Sequence, residues 1–347
     1  MRTKETMIRK VESIAISVLW LALHVHTACG QATPVILTID VDNYVEYQSD
    51  LADPAKLATL PSLTPSVQPR NFFVATVIGD IVAVNGQPAK GTVVGRARSI
   101  RLNPAGSAAA GGPGAAIGDI HRVSIREEIF EILKGDGTPV GTIMAHGLNS
   151  ASDPPPGAPL AQTGGNFAIV GGTGAFLGAR GQFGEAASAA PAPRAASMAE
   201  DPSYRRANGG GGQRFVLHII PMVVPQIAVT PSGPAVAHSS DFTLVSASKP
   251  ATAGEFLCLF ATGLGPTRPG VEPGQPFPPS TLAAVNSPVE VTVNGQPAEV
   301  LAAVGLPGAV DGYQVNFRVP PDISRGTAII QLRTAWVTGS PANIAVQ

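Results

Sequence analysis

Between residues 34 and 222 the chain breaks into short apolar or alternating runs separated by turn residues. Eight strands are expected from them, at 35–41, 72–84, 92–102, 120–133, 140–148, 165–170, 175–183 and 214–220. Asn85-Gly86 and Asp136-Gly137 supply the positive φ angles of tight hairpins, so the strands on either side of each should pair antiparallel. Two stretches, near 104–118 and 185–212, are rich in Ala, Gly and Pro without apolar periodicity and are expected as disordered insertions. Beyond a Pro-punctuated linker at 223–249, the runs Val289-Glu290-Val291-Thr292-Val293 and Tyr313-Gln314-Val315-Asn316-Phe317 alternate with period 2, which places a second β domain at 250–347.

Eight sequential antiparallel strands fit an up-and-down barrel, which leaves no exposed sheet edge and can hold one small ligand; a sandwich is the alternative for the first domain. The hexapeptide Val-Asn-Gly-Gln-Pro-Ala occurs at Val84 and again at Val293 with unlike flanks, a reused hairpin turn rather than a domain repeat. Composition agrees with an all-β chain: charged residues are only 14%, against 39 Gly and 33 Pro in 347 residues. With 23 basic and 24 acidic residues and no basic stripe, nothing supplies an electrostatic footprint for nucleic acid.

Residues 1–30 read as an export signal, with basic Arg2, Lys4, Arg9 and Lys10, an apolar run near 14–25, and Ala28 and Gly30 placed for cleavage before Gln31. That run is shorter than the about 20 residues a membrane span needs. The chain is therefore expected outside the cytoplasm, extracellular or periplasmic. Lipid anchoring at Cys29 is disfavoured because His26-Thr27-Ala28 lacks an aliphatic residue. Cleavage leaves Cys258 alone in an apolar run, a small buried hydrophobe without a disulfide partner.

Candidate chemistry is sparse. Asp40 and Asp42 share one strand face, as do Arg96 and Arg98; they either face each other across an apolar interior and orient a polar ligand group or stabilise charge during cyclisation, or lie on the wet outside or form a structural ion pair. Arg126, Glu127 and Glu128 interrupt the alternation of their strand, by a bulge or an exposed face. His121 and His146 have no metal-ligand spacing to other residues, no Ser sits in a nucleophile-elbow context, and no metal or cofactor is expected. Ile169-Val170-Gly171-Gly172-Thr173-Gly174 has the look of a dinucleotide loop, but Gly178, Gly181 and Gly184, each costing about 1 kcal/mol in a helix, break the helix such a loop requires. A glycine-rich turn into a bent barrel strand suits the residues better.

The segment Phe167-Ala168-Ile169-Val170-Gly171-Gly172-Thr173-Gly174-Ala175-Phe176-Leu177-Gly178-Ala179-Arg180-Gly181 resembles the Gly-Gly-Thr-Gly…Ala-Arg-Gly segment of the dirigent proteins, relatives of the allene oxide cyclases. Gly95-Arg96-Ala97-Arg98 resembles their Gly-Arg-Ala segment, and the likeness spans about 70–222. It implies an eight-stranded antiparallel barrel with an apolar cavity, homo-oligomeric in the plant relatives, which steer phenoxy-radical coupling or close an epoxide-derived fatty acid into a ring without metal or cofactor. Acidic residues and an arginine ring the mouth in the coupling members. Here Arg180 matches the motif arginine, while Thr173, Gly174 and Ala175 offer no carboxylate. Residues 250–347, through 254–267 and 313–320, resemble the immunoglobulin-like C-terminal module of secreted acidobacterial proteins, implying a sandwich for attachment to a cell-surface or extracellular partner. Two functions are carried forward: a barrel binding a hydrophobic small molecule, cyclase-like or guiding stereochemistry, and a non-catalytic structural or adhesion protein. Ligand-binding candidates are Arg180, Arg96, Arg98, Asp40 and Asp42.

Overall fold

The computed structural model describes residues 34–48, 72–100, 123–150, 165–186, 188, 191, 193–221, 223–272 and 274–347. The expected export signal with Cys29, His121 and the insertion near 104–118 lie outside these residues. The chain divides into two compact units, Ala32–Met222 and a second containing Val223–Gln347.

The first unit is all β. Its strands are β1 (Val35–Gln48), β2 (Phe72–Val84), β3 (Gln87–Ile100), β4 (Val123–Lys134), β5 (Pro139–Ser150), β6 (Gly165–Gly174), β7 (Arg180–Ala186), β8 (Arg194–Ser197) and β9 (Gly211–Ile220). They run β2-β3-β4-β5-β6-β7-β9-β1, and β1 pairs with β2 to close an eight-stranded antiparallel barrel, with β8 parallel to the end of β1. Strand period 2 puts Leu37, Ile39, Val77, Val93, Phe130, Ile132, Ile143, Ile169, Phe183, Phe215 and Leu217 inside, all nearly inaccessible. Phe130, Phe183 and Phe215 meet edge to face at centroid distances of 5.1–5.9 Å and fill the middle of the barrel.

The two ends differ. One carries only tight connections, at Asn85-Gly86, Asp136-Gly137 and the turn after β6, where Phe176 and Ala179 fold back and are buried. The other carries the four long connections, between β1 and β2, β3 and β4, β5 and β6, and β7 and β9. The glycine-rich motif belongs to the tight end. The strand expected at 175–183 starts only at Arg180, because β6 continues through Gly174 and the chain turns before it. A Cβ at Gly181 would fall 1.9 Å from the His218 carbonyl oxygen, so β7 can approach β9 this closely only with glycine there.

The expected insertion near 185–212 is partly ordered. Glu185 and Ala186 complete β7, and β8 is followed by a 3-10 turn at Pro202–Tyr204. Charge pairing supplies what composition lacks: Arg194 forks onto Glu200 at 2.7 and 2.9 Å, and Arg205 and Arg206 both bond Asp80 of β2. These bonds hold the Asp80 carboxyl below its ordinary range against the opposing effect of burial.

The second unit is a β-sandwich fold built from one curled eleven-stranded sheet. Leu257, Leu259, Val291, Val293, Val315, Phe317, Ile330 and Leu332 form its core. Residues 226–238, within the expected linker, instead contribute strands Gln226–Ile227 and Val236–His238, which pair with Phe256–Thr262. The repeated hexapeptide makes the same device twice. Asn85 accepts a hydrogen bond from the Thr38 amide at 2.7 Å, and Asn294 accepts one from the Ile329 amide at 2.8 Å, each with positive φ followed by a positive-φ glycine. Cys258 is fully buried and its thiol is pushed up to about 12 by desolvation, which makes it inert. Tyr313 is a core residue whose hydroxyl donates to the Gly265 carbonyl at 2.6 Å.

Candidate functional site

None of the five candidates read from the sequence points into the barrel. Arg96 and Arg98 alternate with inward Gly95 and Ala97 and are exposed; Arg96 pairs with Glu127 at 2.7 Å on the outer surface. Asp40 lies between inward Ile39 and Val41 and accepts from Arg214 Nε at 2.6 Å, and Asp42 is exposed. Arg180 is exposed at the tight end and donates to the Ala179 carbonyl at 2.9 Å. The structure therefore brings Asp40 to Arg214 and leaves Arg96 and Arg98 on the wall.

The buried chemistry comes from Arg126 and Glu128. The β3–β4 register runs without a break from Ala89↔Lys134 to Ile100↔Val123, so there is no bulge at Arg126. Counting in twos from buried Phe130 and Ile132 puts Glu128, Arg126 and Ser124 inside, and Glu127, Ile125 and Ile129 outside. Arg126 Nη2 bonds Glu128 Oε1 at 2.7 Å, and Nη1 donates to Glu185 Oε1 at 2.9 Å from β7. The Tyr44 hydroxyl accepts from Arg126 Nη2 and donates to Glu128 Oε1 at 3.2 Å.

Tyr44 reaches this cluster because β1 bulges. The β1–β2 register slips between Asp42 and Val45, with Asn43 at φ 52°, and the inward phase changes from odd to even positions. Val45 then turns outward to pack with Tyr47, Ala196 and Ile78, while Glu46 falls opposite inward Val77. Glycines make the room. A Cβ at Gly79 would meet the Tyr44 ring at 2.8 Å, and one at Gly95 would meet Glu128 Cγ at 2.8 Å.

Burial sets the electrostatics. Arg126 and Glu128 are 5% and 1% exposed. Desolvation pushes the Glu128 carboxyl up to about 7; Arg126 pulls it down and Glu185 pushes it further up. For Arg126 burial opposes the charge, yet Glu128, Tyr44 and Glu185 outweigh it and hold the guanidinium above its ordinary value. Burial likewise keeps the Tyr44 hydroxyl protonated well past its usual range. Two buried atoms of the pair, Arg126 Nε and Glu128 Oε2, have no hydrogen-bond partner among the described residues.

The cluster sits toward the end with the long connections, and its neighbours are small. Arg126 lies between Ala97 and Gly147 on adjacent strands, and Glu128 between Gly95 and Ala145. Among the described residues no three His, Cys, Asp or Glu side chains are arranged to hold a metal ion. The chemistry on offer is proton donation from Glu128 or Tyr44 and a fixed guanidinium charge, beside an aromatic wall.

No family model matches this chain, and no curated protein matches it. Among solved structures it is similar to the N-terminal domain of the Streptococcus gordonii adhesin Sgo0707, with 12% identity over 82% of this chain and 85% of that one; the TM-score of 0.19 is too low to bear on fold or function.

Proposed function

We propose that this chain is an exported binding barrel that holds one hydrophobic small molecule at the long-loop end, against the Arg126–Glu128–Tyr44–Glu185 cluster. One observation carries the reading: a charged, incompletely satisfied cluster buried among Ala and Gly in the interior. Apolar side chains in place of a buried ion pair are often neutral or stabilising by about 1–4 kcal/mol, so stability alone does not call for it. Perturbed buried groups of this sort mark functional sites. Ring closure or steered coupling, the chemistry implied by the dirigent and allene oxide cyclase resemblance, would draw on the same groups, with Glu128 as proton donor and Arg126 as fixed countercharge.

The uncharged fluorophore N-phenyl-1-naphthylamine tests the reading. Saturable, one-to-one fluorescence enhancement is expected, and Ala145→Leu, which fills the space beside Glu128, should weaken it at least about tenfold while the near-ultraviolet dichroism stays native. Absence of saturable binding, or binding indifferent to Ala145→Leu, rejects the binding barrel in favour of a structural or adhesion protein with a solid core.

A second reading, self-association through the barrel wall, is favoured by an apolar row on the outside. Val94, Ile129 and Met144 lie in register on β3, β4 and β5 and are 42%, 45% and 38% exposed, with Ile125 and Val170 nearby at 48% and 49%. Outer walls of antiparallel barrels facing water are normally polar. Light scattering should show an oligomer that Ile129→Lys converts to monomer; a monomeric parent excludes this reading.

A further inference from the structure

Beside the buried cluster the wall is completed by a segment that is not one of the eight barrel strands. β9 accompanies β1 only as far as Tyr44, opposite Gly211, and from Val45 to Gln48 β1 pairs instead with β8, in parallel. Among the described residues nothing else pairs with that edge of β1. The replacement begins one residue beyond Tyr44, whose hydroxyl bonds Arg126 and Glu128.

Segment 194–210 is held in place differently from the wall it completes. Ala196 is its one buried residue, set against Val45 and Tyr47, so it contributes little apolar surface of its own. Such a segment opens at low cost, and its polar contacts decide how often. Arg205 and Arg206 both bond the Asp80 carboxylate on the outside of β2, Arg206 through Nε and Nη2 at 2.8 Å each. Arg194 ties the segment to itself, donating to Glu200 and, through Nε, to the Gly209 carbonyl at 2.5 Å. That brace lets it move as one piece. Its C-terminal end runs into the glycines 209–212, with Gly209 at φ 80°, a conformation that favours glycine and suits a hinge.

We infer that segment 194–210 is a side gate of the binding barrel, latched by Arg205 and Arg206 on Asp80, and that an apolar ligand passes beside Tyr44 when it swings out. The inference rests on the binding-barrel reading and adds to it a route and a control. Salt reaches the latch, since the Arg206 side chain is 66% exposed, whereas an uncharged ligand does not feel screening. A gate speeds entry and exit alike and leaves affinity unchanged, because it alters the path and not the bound state.

The double substitution Arg205→Gln with Arg206→Gln removes the latch and keeps Asp80 on Asn43 at 3.0 Å, beside the β1 bulge. In stopped-flow mixing with N-phenyl-1-naphthylamine, association and dissociation should both quicken about tenfold in the double variant while Kd stays within about twofold. Raising NaCl from about 0.05 to about 0.5 M should speed both rates in the parent and neither in the variant. Amide exchange gives a readout that needs no ligand. Residues 194–200 should exchange faster in the variant, while 36–41, paired with β9, keep the parent's protection. Faster exchange with unchanged probe rates overturns the gate and leaves the binding barrel standing, as does exchange at 194–200 that ignores the substitutions. A change in one rate alone, with Kd moving in proportion, makes the segment part of the binding surface and likewise overturns the gate. If the probe binds neither protein, the binding barrel falls and the gate with it. Arg206→Gln alone, at an exposed position, carries the same test should the double variant fail to fold.

Discussion

Arg126→Ala is expected to destabilise the barrel by about 3–5 kcal/mol, the largest effect of any single substitution considered. The side chain is one of two partners in a buried ion pair, and removing it strands Glu128 in an apolar interior and takes a donor from the Tyr44 oxygen. The loss is therefore chiefly the cost of an uncompensated charge rather than of the bonds themselves. Two consequences distinguish this from a cavity effect. First, the loss should be larger at pH 8 than at pH 5, because in acid Glu128 takes up a proton and the stranded charge disappears. Second, the double substitution Arg126→Met with Glu128→Leu should recover most of the stability, a coupling that independent sites would not show. Urea unfolding followed by tyrosine dichroism in the near ultraviolet reads both, since Tyr44, Tyr47 and Tyr204 lie in the barrel and only Tyr313 lies outside it. A double variant as unstable as Arg126→Ala alone would show that the site depends on side-chain volume, not charge.

The wall of the barrel was legible in the sequence, and its contents were not. Apolar runs and the Asn85-Gly86 and Asp136-Gly137 turns are local signals, so strand count, antiparallel pairing and closure could be read from them. The site fails to announce itself for three separate reasons. In β4 the exposed Ile125 and Ile129 lie on one face while Arg126 and Glu128 share the other with Phe130, so hydrophobicity alone gives no phase. Anchoring the count at bulky Phe130 and Ile132 and assuming no bulge would have sent Arg126 and Glu128 inward. Tyr44 is turned in by a register slip at Asn43, and such slips depend on the neighbouring strand. Glu185 falls at the start of an Ala- and Pro-rich stretch whose order comes from Arg205 and Arg206 meeting Asp80, a contact across 125 residues that no local pattern encodes. The candidates on Asp40 and Arg96 had the converse problem. Their spacing puts them on one face, but spacing does not say which face is inside.

The pH dependence of stability should carry the signature of Glu128. Its carboxyl is raised from an ordinary 4.5 to about 7 by burial, so between those values the folded chain holds a proton that the unfolded chain has released. Stability contributed by this group is fully present below about pH 4.5 and is lost as pH rises through 7, since unfolding becomes easier wherever the folded state binds more protons. At about 1.4 kcal/mol per unit, the loss across this window is on the order of 3 kcal/mol. The arginine-paired acids act in the opposite sense. Asp80, Glu127 and Glu200 are held below their ordinary range by arginine partners, so their contribution disappears as pH falls through the normal carboxylate range. The barrel should therefore be most stable near pH 4–5 and weaken toward neutrality, unlike domains whose optimum lies higher. Glu128→Gln removes the titrating group while keeping its shape. Urea midpoints measured from pH 4 to 9 should fall through pH 7 in the parent and stay level in the variant over the same range. A parent curve flat between pH 5 and 8, or a fall that persists in Glu128→Gln, would assign the buried proton to another group and remove the strongest reason to place proton-donating chemistry at this site.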